Sequence, residues 1–165
     1  MDFFDVVRKR RSIRAYLPKQ VDDEKIKKIL NAARLAPTAA NKQPYKLVVI
    51  KNPKTKLDFV RQKAVHQAPV VIAIFIDESQ AWFRNYDNKN FAFVDGAIVF
   101  EHIILAAVAQ GLATVWIANV DPSLMKKALD LQDKYHFLAL TPIGYPAEEP
   151  KKTSRKPKNE LIKHV

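Results

Sequence analysis

Lys9-Arg10-Arg11-Ser12-Ile13-Arg14-Ala15-Tyr16 gathers four cations and a hydroxyl into one short stretch. If the chain is extended from Ser12 onward, period-two alternation puts Arg10, Ser12 and Arg14 on one side, with Arg11 and Ile13 facing the other way. Two guanidiniums around a hydroxyl suit a phosphate or sulfate, because forked, charge-assisted hydrogen bonds match such oxyanions. The same residues also read as a solvated basic turn. This stretch alone leaves both readings open.

Two further stretches carry candidate chemistry. Ala36-Pro37-Thr38-Ala39-Ala40-Asn41-Lys42-Gln43-Pro44-Tyr45 sets small and amide residues between two prolines, which makes a constrained loop. Small side chains let a planar ligand lie near the backbone, and Asn41 and Gln43 can bond to ring heteroatoms. It is equally readable as a plain helix-to-strand connection. Residues 77–90 mix Asp77, Glu78 and Arg84 with Trp82, Phe83 and Tyr86. This is either a lid or partner-facing surface, or an aromatic-anchored connection.

Absent residue types narrow the chemistry further. No cysteine is present, which excludes disulfides, thiolate catalysis and cysteine-ligated metal. The four histidines, at 66, 102, 136 and 164, have no paired-ligand spacing, and no metal site is expected. Three glycines, at 96, 111 and 144, are too few and too scattered for a dinucleotide fingerprint or a Walker loop. A phosphate held by this chain must therefore be held by side chains.

The elements that must position these stretches follow from periodicity. Residues 2–9 form a short helix with Phe3, Val6 and Val7 on its apolar side. A second helix starts from Asp22 as N-cap, carries Ile26, Ile29, Leu30 and Ala33 on one face, and stops at Pro37. Tyr45–Ile50 is a strand, 54–66 a polar helical segment, and Val70–Ile76 a continuous apolar run expected of a central strand buried on both faces. Phe91–Gln110 is the longest helix, apolar apart from Asp95, Glu101 and His102, and is expected in the core or at a subunit interface. Leu112–Ala118 is a strand, Asp121-Pro122 opens a short helix to Leu129, and Phe137–Ile143 is the last strand. Gly144-Tyr145-Pro146 then leads into a basic arm, 147–165, where Lys152 and Arg155 are either a second anion contact or solvated charge. The order suggests a mixed central sheet with helices on its faces. One domain over residues 1–165 is expected.

The formal net charge of +11 favours anionic partners. The basic residues are densest at 8–14 and 151–158, and neither patch is interleaved with the aromatics on which single-strand binders stack bases. A basic nucleic-acid-binding domain is nevertheless the rival reading, and it predicts steep salt dependence. No signal sequence is apparent, apolar stretches are interrupted before the length of a membrane span, and a cytoplasmic location is expected.

Taken together, these pieces resemble the flavin-dependent nitroreductase family in its short form. Arg10-Arg11-Ser12-Ile13-Arg14 is similar to that family's phosphate signature, and Ala36 to Pro44 to its Ala-Pro-Ser-(small)-x-Asn-x-Gln-Pro signature. Gly111 to Asn119 resembles the strand and loop beside the flavin ring. Ile143-Gly144-Tyr145-Pro146 followed by Arg155-Lys156-Pro157 resembles the closing pattern. The resemblance implies an α+β fold, a homodimer with the long helix in its interface, and FMN bound non-covalently at two interfacial sites. By position, it implies Arg10, Arg11, Ser12, Arg14 and Arg155 at the FMN phosphate, and Pro37, Thr38, Ala39 and Asn41 at the ring or ribityl chain. Ile117, Ala118 and Asn119 would lie along the other side of the ring, and Gln62 at its pyrimidine end. NADH or NADPH would be the donor and a nitroaromatic or quinone the acceptor, in ping-pong order, with Trp82, Phe83 and Tyr86 as acceptor-pocket residues and no catalytic side chain. A relative of the same fold with a dedicated substrate is a further alternative. The chain departs from the family pattern at Asn119, where glycine is frequent, and at Thr153, near a frequent lysine.

Overall fold

The computed structural model describes residues 2–150 and 153–165. Its centre is a four-stranded sheet in the order β1-β2-β6-β5, built from β1 (Tyr45–Ile50), β2 (Val70–Asp77), β5 (Ala113–Thr114) and β6 (Tyr135–Gly144). All three strand pairs are antiparallel, and the sheet is mixed only through a single parallel bridge between Ser12 and Thr114. Every residue of β2 is buried, as the unbroken apolar run requires. Alternation divides it: Val71, Ala73 and Phe75 face one core, and Val70, Ile72 and Ile74 face the other. The β2–β6 register shifts between Ile74 and Phe75, and beyond this bulge Phe75 meets Phe137 edge-to-face at 5.6 Å.

One face of the sheet is covered by α2 (Asp23–Arg34) and α5 (Ala92–Ala109), whose Ile26, Ile29, Val99, Phe100 and Ile103 fill that core. Asp22 caps α2 by accepting from Glu24 N at 2.9 Å. The opposite face is closed by α3 (Pro53–Lys56), α4 (Lys63–Gln67) and α6 (Pro122–Ala128), with Leu57, Val65 and Met125 buried. The single helical segment expected over 54–66 is thus two short helices, because Leu57 and Val60 turn into the core between them. The segment after β2 carries a two-residue-stranded hairpin, β3 (Phe83–Arg84) with β4 (Lys89–Asn90). A helix α1 (Phe3–Lys9) precedes the basic stretch, and α7 (Lys158–Leu161) lies in the terminal arm.

α5 passes close over the sheet at Gly96. A Cβ there would lie 2.7 Å from Leu138 Cδ2 and 2.9 Å from Ile76 Cγ2, so any other residue would force these two side chains to shift. Gly111 ends the helix region at φ +75°, in the left-handed range that glycine adopts freely. α5 is long and apolar enough to span a membrane by length and composition, contrary to the expectation that apolar stretches break before that length. Its packing on β2 and α2 instead makes it a core helix.

The outer side of α5 is also apolar. With α1 it lines a groove of about 630 Å³ that includes Phe3, Val6, Ile98, Glu101, His102, Leu105 and Ala106. Of the expected apolar side of α1, only Val6 is buried, while Phe3 is 63% and Phe4 68% exposed. Desolvation in this groove raises the Glu101 carboxyl above its ordinary value, against the opposing influence of Arg10 and His102. A carboxyl pKa raised by folding gives stability that is present below the unfolded value and lost as pH climbs through the folded one. Glu101→Gln is therefore expected to raise the unfolding midpoint at pH 7 and leave it unchanged at pH 4. Equal midpoint shifts in denaturant titrations at the two pH values would contradict this origin.

Candidate functional site

The basic stretch leaves α1 at Arg10 and runs extended between two neighbours. Ile13 N donates to Thr114 O at 3.0 Å on the β5 side, and on the other side Leu17 N donates to Tyr145 O at 2.9 Å and Ala147 N to Ala15 O at 3.0 Å. Ile13 and Tyr16 are thereby buried, while Ser12 and Arg14 face outward. Period-two alternation holds from Ser12 to Arg14 but not for Arg11, nor for Tyr16, which is buried although it shares the parity of Ser12 and Arg14. The Arg11 guanidinium folds back onto the carbonyls of Arg8 and Arg10, both at 2.7 Å, and so reaches the same side as Arg10 and Ser12.

The outcome is a cleft of about 440 Å³ lined by Arg10, Arg11, Ser12, Arg14, Glu148, Glu149, Pro150, Thr153 and Arg155. Residues more than 130 positions apart meet here. Arg155 Nη1 bonds to Thr153 Oγ1 at 2.7 Å, which fixes the guanidinium over its own arm. Among the described residues, the side chains of Arg10 and Arg14 make neither a hydrogen bond nor an ion pair, so both forks remain available to an anion. Lys152 lies outside the described residues.

A second cleft of about 210 Å³ is lined by Arg14, Gln62, Ala64, Val115, Trp116, Ile117, Ala118 and Asn119. Arg14 borders both clefts and joins them. The strand expected over Leu112–Ala118 is only Ala113–Thr114, with Ile117 rejoining the sheet through a bridge to Leu140. Trp116 turns between them to meet Phe100 of α5 edge-to-face at 4.4 Å, which peels the chain away and opens this notch.

The structure therefore brings together Arg10, Arg11, Ser12, Arg14 and Arg155, and beside them Gln62, Ile117, Ala118 and Asn119. Pro37, Thr38, Ala39 and Asn41 line neither cleft. They form a 3₁₀ turn, Ala39–Asn41, in which Ala40, Asn41 and nearby Gln43 all have φ near +50°. Left-handed conformations cost a non-glycine residue about 1 kcal/mol or more each, so this loop is held against local preference. Trp82, Phe83 and Tyr86 also line neither cleft; they sit on and beside the β3–β4 hairpin, where Trp82 packs on Phe91 at 5.3 Å and Tyr86 is 98% exposed. Sequence reasoning missed Glu148, Glu149 and Trp116 as cleft residues. Glu148 Oε1 accepts from the N–H groups of Arg14 and Ala15, a clasp between distant parts of the sequence to which only its place just after Gly144-Tyr145-Pro146 could have pointed.

The arginine-lined cleft and the notch beside it thus adjoin at Arg14, with guanidiniums and a hydroxyl on one side and Gln62, Ile117, Ala118 and Asn119 on the other. A profile of the Nitroreductase family matches residues 7–59 and 54–145. A nitroreductase family protein from Clostridium difficile 630 superposes with a TM-score of 0.91 at 31% identity, covering 99% of this chain and 98% of that one. The NADH dehydrogenase of Thermus thermophilus is 29% identical over 187 residues, spanning 93% of this chain and 91% of its own. A chain from Desulfovibrio desulfuricans, solved in complex with FMN, has a TM-score of 0.87 at 28% identity and covers 100% of this chain and 97% of its own. The chain belongs to the nitroreductase family, a family of oxidoreductases.

Arg14→Ala removes the one residue shared by both clefts. It is expected to weaken binding of FMN roughly ten- to a hundredfold, the span of one charge-assisted hydrogen bond at about 1.5–3 kcal/mol. The exposed position predicts an unfolding midpoint close to that of the native sequence. Fluorescence titration with FMN beside a thermal melt checks both, and native-like affinity would remove Arg14 from the receptor.

Proposed function

We propose that this protein is an FMN-dependent NAD(P)H oxidoreductase acting on nitroaromatic or quinone-type acceptors. The observation that carries this reading is Arg14 standing at the junction of the two clefts. A phosphate held by Arg10, Arg11, Ser12, Arg14 and Arg155 would leave the rest of a flavin mononucleotide adjoining Gln62 and the 117–119 backbone. The donor set suits a dianionic phosphate, with forked guanidiniums and a hydroxyl and no bound metal required. When bound, FMN supplies the redox chemistry, taking hydride from NADH or NADPH and passing reducing equivalents to an acceptor that follows in ping-pong order.

This chain's residues bind, orient and shield. The arginines neutralise the phosphate, Ile117 and Ala118 offer an apolar and backbone wall, and Asn119 and Gln62 offer polar groups for ring heteroatoms. Trp116, packed edge-to-face on Phe100, fixes the rear wall of the notch to α5. No side chain is assigned a covalent role.

The functional unit in this reading is one FMN-binding domain over residues 1–165 that works as a homodimer in the cytoplasm. The apolar groove along α1 and α5, with Phe3 and Phe4 exposed beside it, supports a second copy there. The strained 37–43 loop, which lines neither cleft of its own chain, is assigned to the site completed by two copies. The exposed aromatics of the hairpin, Trp82, Phe83 and Tyr86, are assigned to acceptor contact.

Steady-state oxidation of NADH and NADPH by the FMN-loaded protein, with nitroaromatic and quinone acceptors, tests the reading. Parallel lines in double-reciprocal plots are expected for ping-pong order, and absence of acceptor-dependent oxidation would refute the activity. Replacing Trp82, Phe83 and Tyr86 together by alanine is expected to raise acceptor KM severalfold while FMN affinity stays constant. Unchanged turnover of every acceptor would remove the hairpin from the pocket.

A further inference from the structure

Asp95 lines neither cleft, yet it is 2% exposed, one turn into α5. Its Oδ1 accepts from Ala39 N at 2.9 Å. Its Oδ2 is buried and has no hydrogen-bond donor among the described residues. A carboxylate in such a place is costly unless it serves something, and the helix N-terminus offsets only part of that cost.

Its single partner identifies what it serves. Ala39 opens the turn in which Ala40, Asn41 and Gln43 take left-handed backbone conformations, and such conformations persist only where the surroundings over-determine them. Inside the loop, Thr38 supplies two ties: Asn41 N donates to Thr38 O at 2.9 Å, and Gln43 N to Thr38 Oγ1 at 3.0 Å. Among the described residues, the Asp95–Ala39 bond is the one side-chain hydrogen bond that links residues 37–43 to the rest of the chain. The anchor itself is rigid, because the neighbouring Gly96 lets α5 press directly on Leu138 and Ile76.

We infer that Asp95 is a positioning residue for the flavin site: it docks the strained 37–43 loop on α5, the helix that faces the second copy, and so sets where that loop meets the ring. This inference rests on the flavin reading above. It predicts that Asp95 governs placement of the loop and leaves the arginine receptor untouched.

The test uses the full-length protein freed of flavin and two probes, FMN and inorganic phosphate. Asp95→Ala is expected to lower FMN affinity about tenfold or more while phosphate affinity stays within about twofold. Asp95→Asn keeps an acceptor oxygen for Ala39 N–H and is expected to recover affinity to within about threefold of the native protein. Ala39→Pro deletes the donor instead, at the first position of a turn preceded by extended Thr38, where proline is tolerated. It should lower FMN affinity as Asp95→Ala does, and the double variant should lose no more than either single one. Native-like FMN binding by Asp95→Ala, an additive double variant, or a parallel loss of phosphate affinity would each overturn the inference. If Asp95→Ala does not fold, Asp95→Asn and Ala39→Pro with their double variant decide the same question. Failure of the flavin reading itself looks different: the native protein would bind phosphate and take up no FMN.

Discussion

The site depends on the backbone stitching of residues 12–17 between two partners distant in sequence. Thr114 accepts from Ile13 on one side, and on the other Tyr145 accepts from Leu17 and Ala15 from Ala147. Glu148 adds its carboxylate to the N–H groups of Arg14 and Ala15. These bonds bury Ile13 and Tyr16, and with Ile13 turned inward between them, Ser12 and Arg14 face the cleft. Tyr16 adds a lock through its hydroxyl, which donates to Ile13 O at 2.8 Å, and burial holds its phenol far above the ordinary titration range. The same lacing carries the chain end across the cleft and delivers Arg155. A chain with three glycines has no glycine-rich loop for a phosphate, and this extended segment is how it presents side chains in its place.

The sheet and α5 give that segment a fixed frame. β2 is buried on both faces, so its register with β1 and β6 leaves little freedom to slide. α5 rests on it through Gly96 and carries Phe100, which meets Trp116 at the second cleft. One helix thus touches the sheet core, the rear wall of the notch, the 37–43 loop through Asp95, and the open apolar groove.

How much of this was legible depended on whether the signal was local. The uninterrupted run from Val70 to Ile76 pointed to a doubly buried strand, and Asp22 before Asp23-Glu24 to a helix start, and both are found. The stretch from Arg10 to Arg14 offered an anion site by residue type and spacing but left a solvated basic turn equally open, and only the arrival of Thr153 and Arg155 beside it in the fold favours the first. Arg11 was misplaced because its direction is set by the end of α1 and not by strand alternation. The strand at Leu112–Ala118 was overextended because Trp116 is captured by Phe100, a contact across elements that periodicity does not encode. Glu148 and Asp95 act through backbone groups far away in sequence, and nothing in their immediate neighbours marks that role. The loop at 37–43 was recognisable from its prolines and small residues, but its separation from the clefts within one chain emerges only from the fold.

An absorbance spectrum of the purified protein together with its native mass tests the central claim most directly. The account predicts flavin bands, about one FMN per chain and the mass of a dimer. A colourless protein that takes up no added FMN would contradict it, and the cluster of arginines would then need another anion.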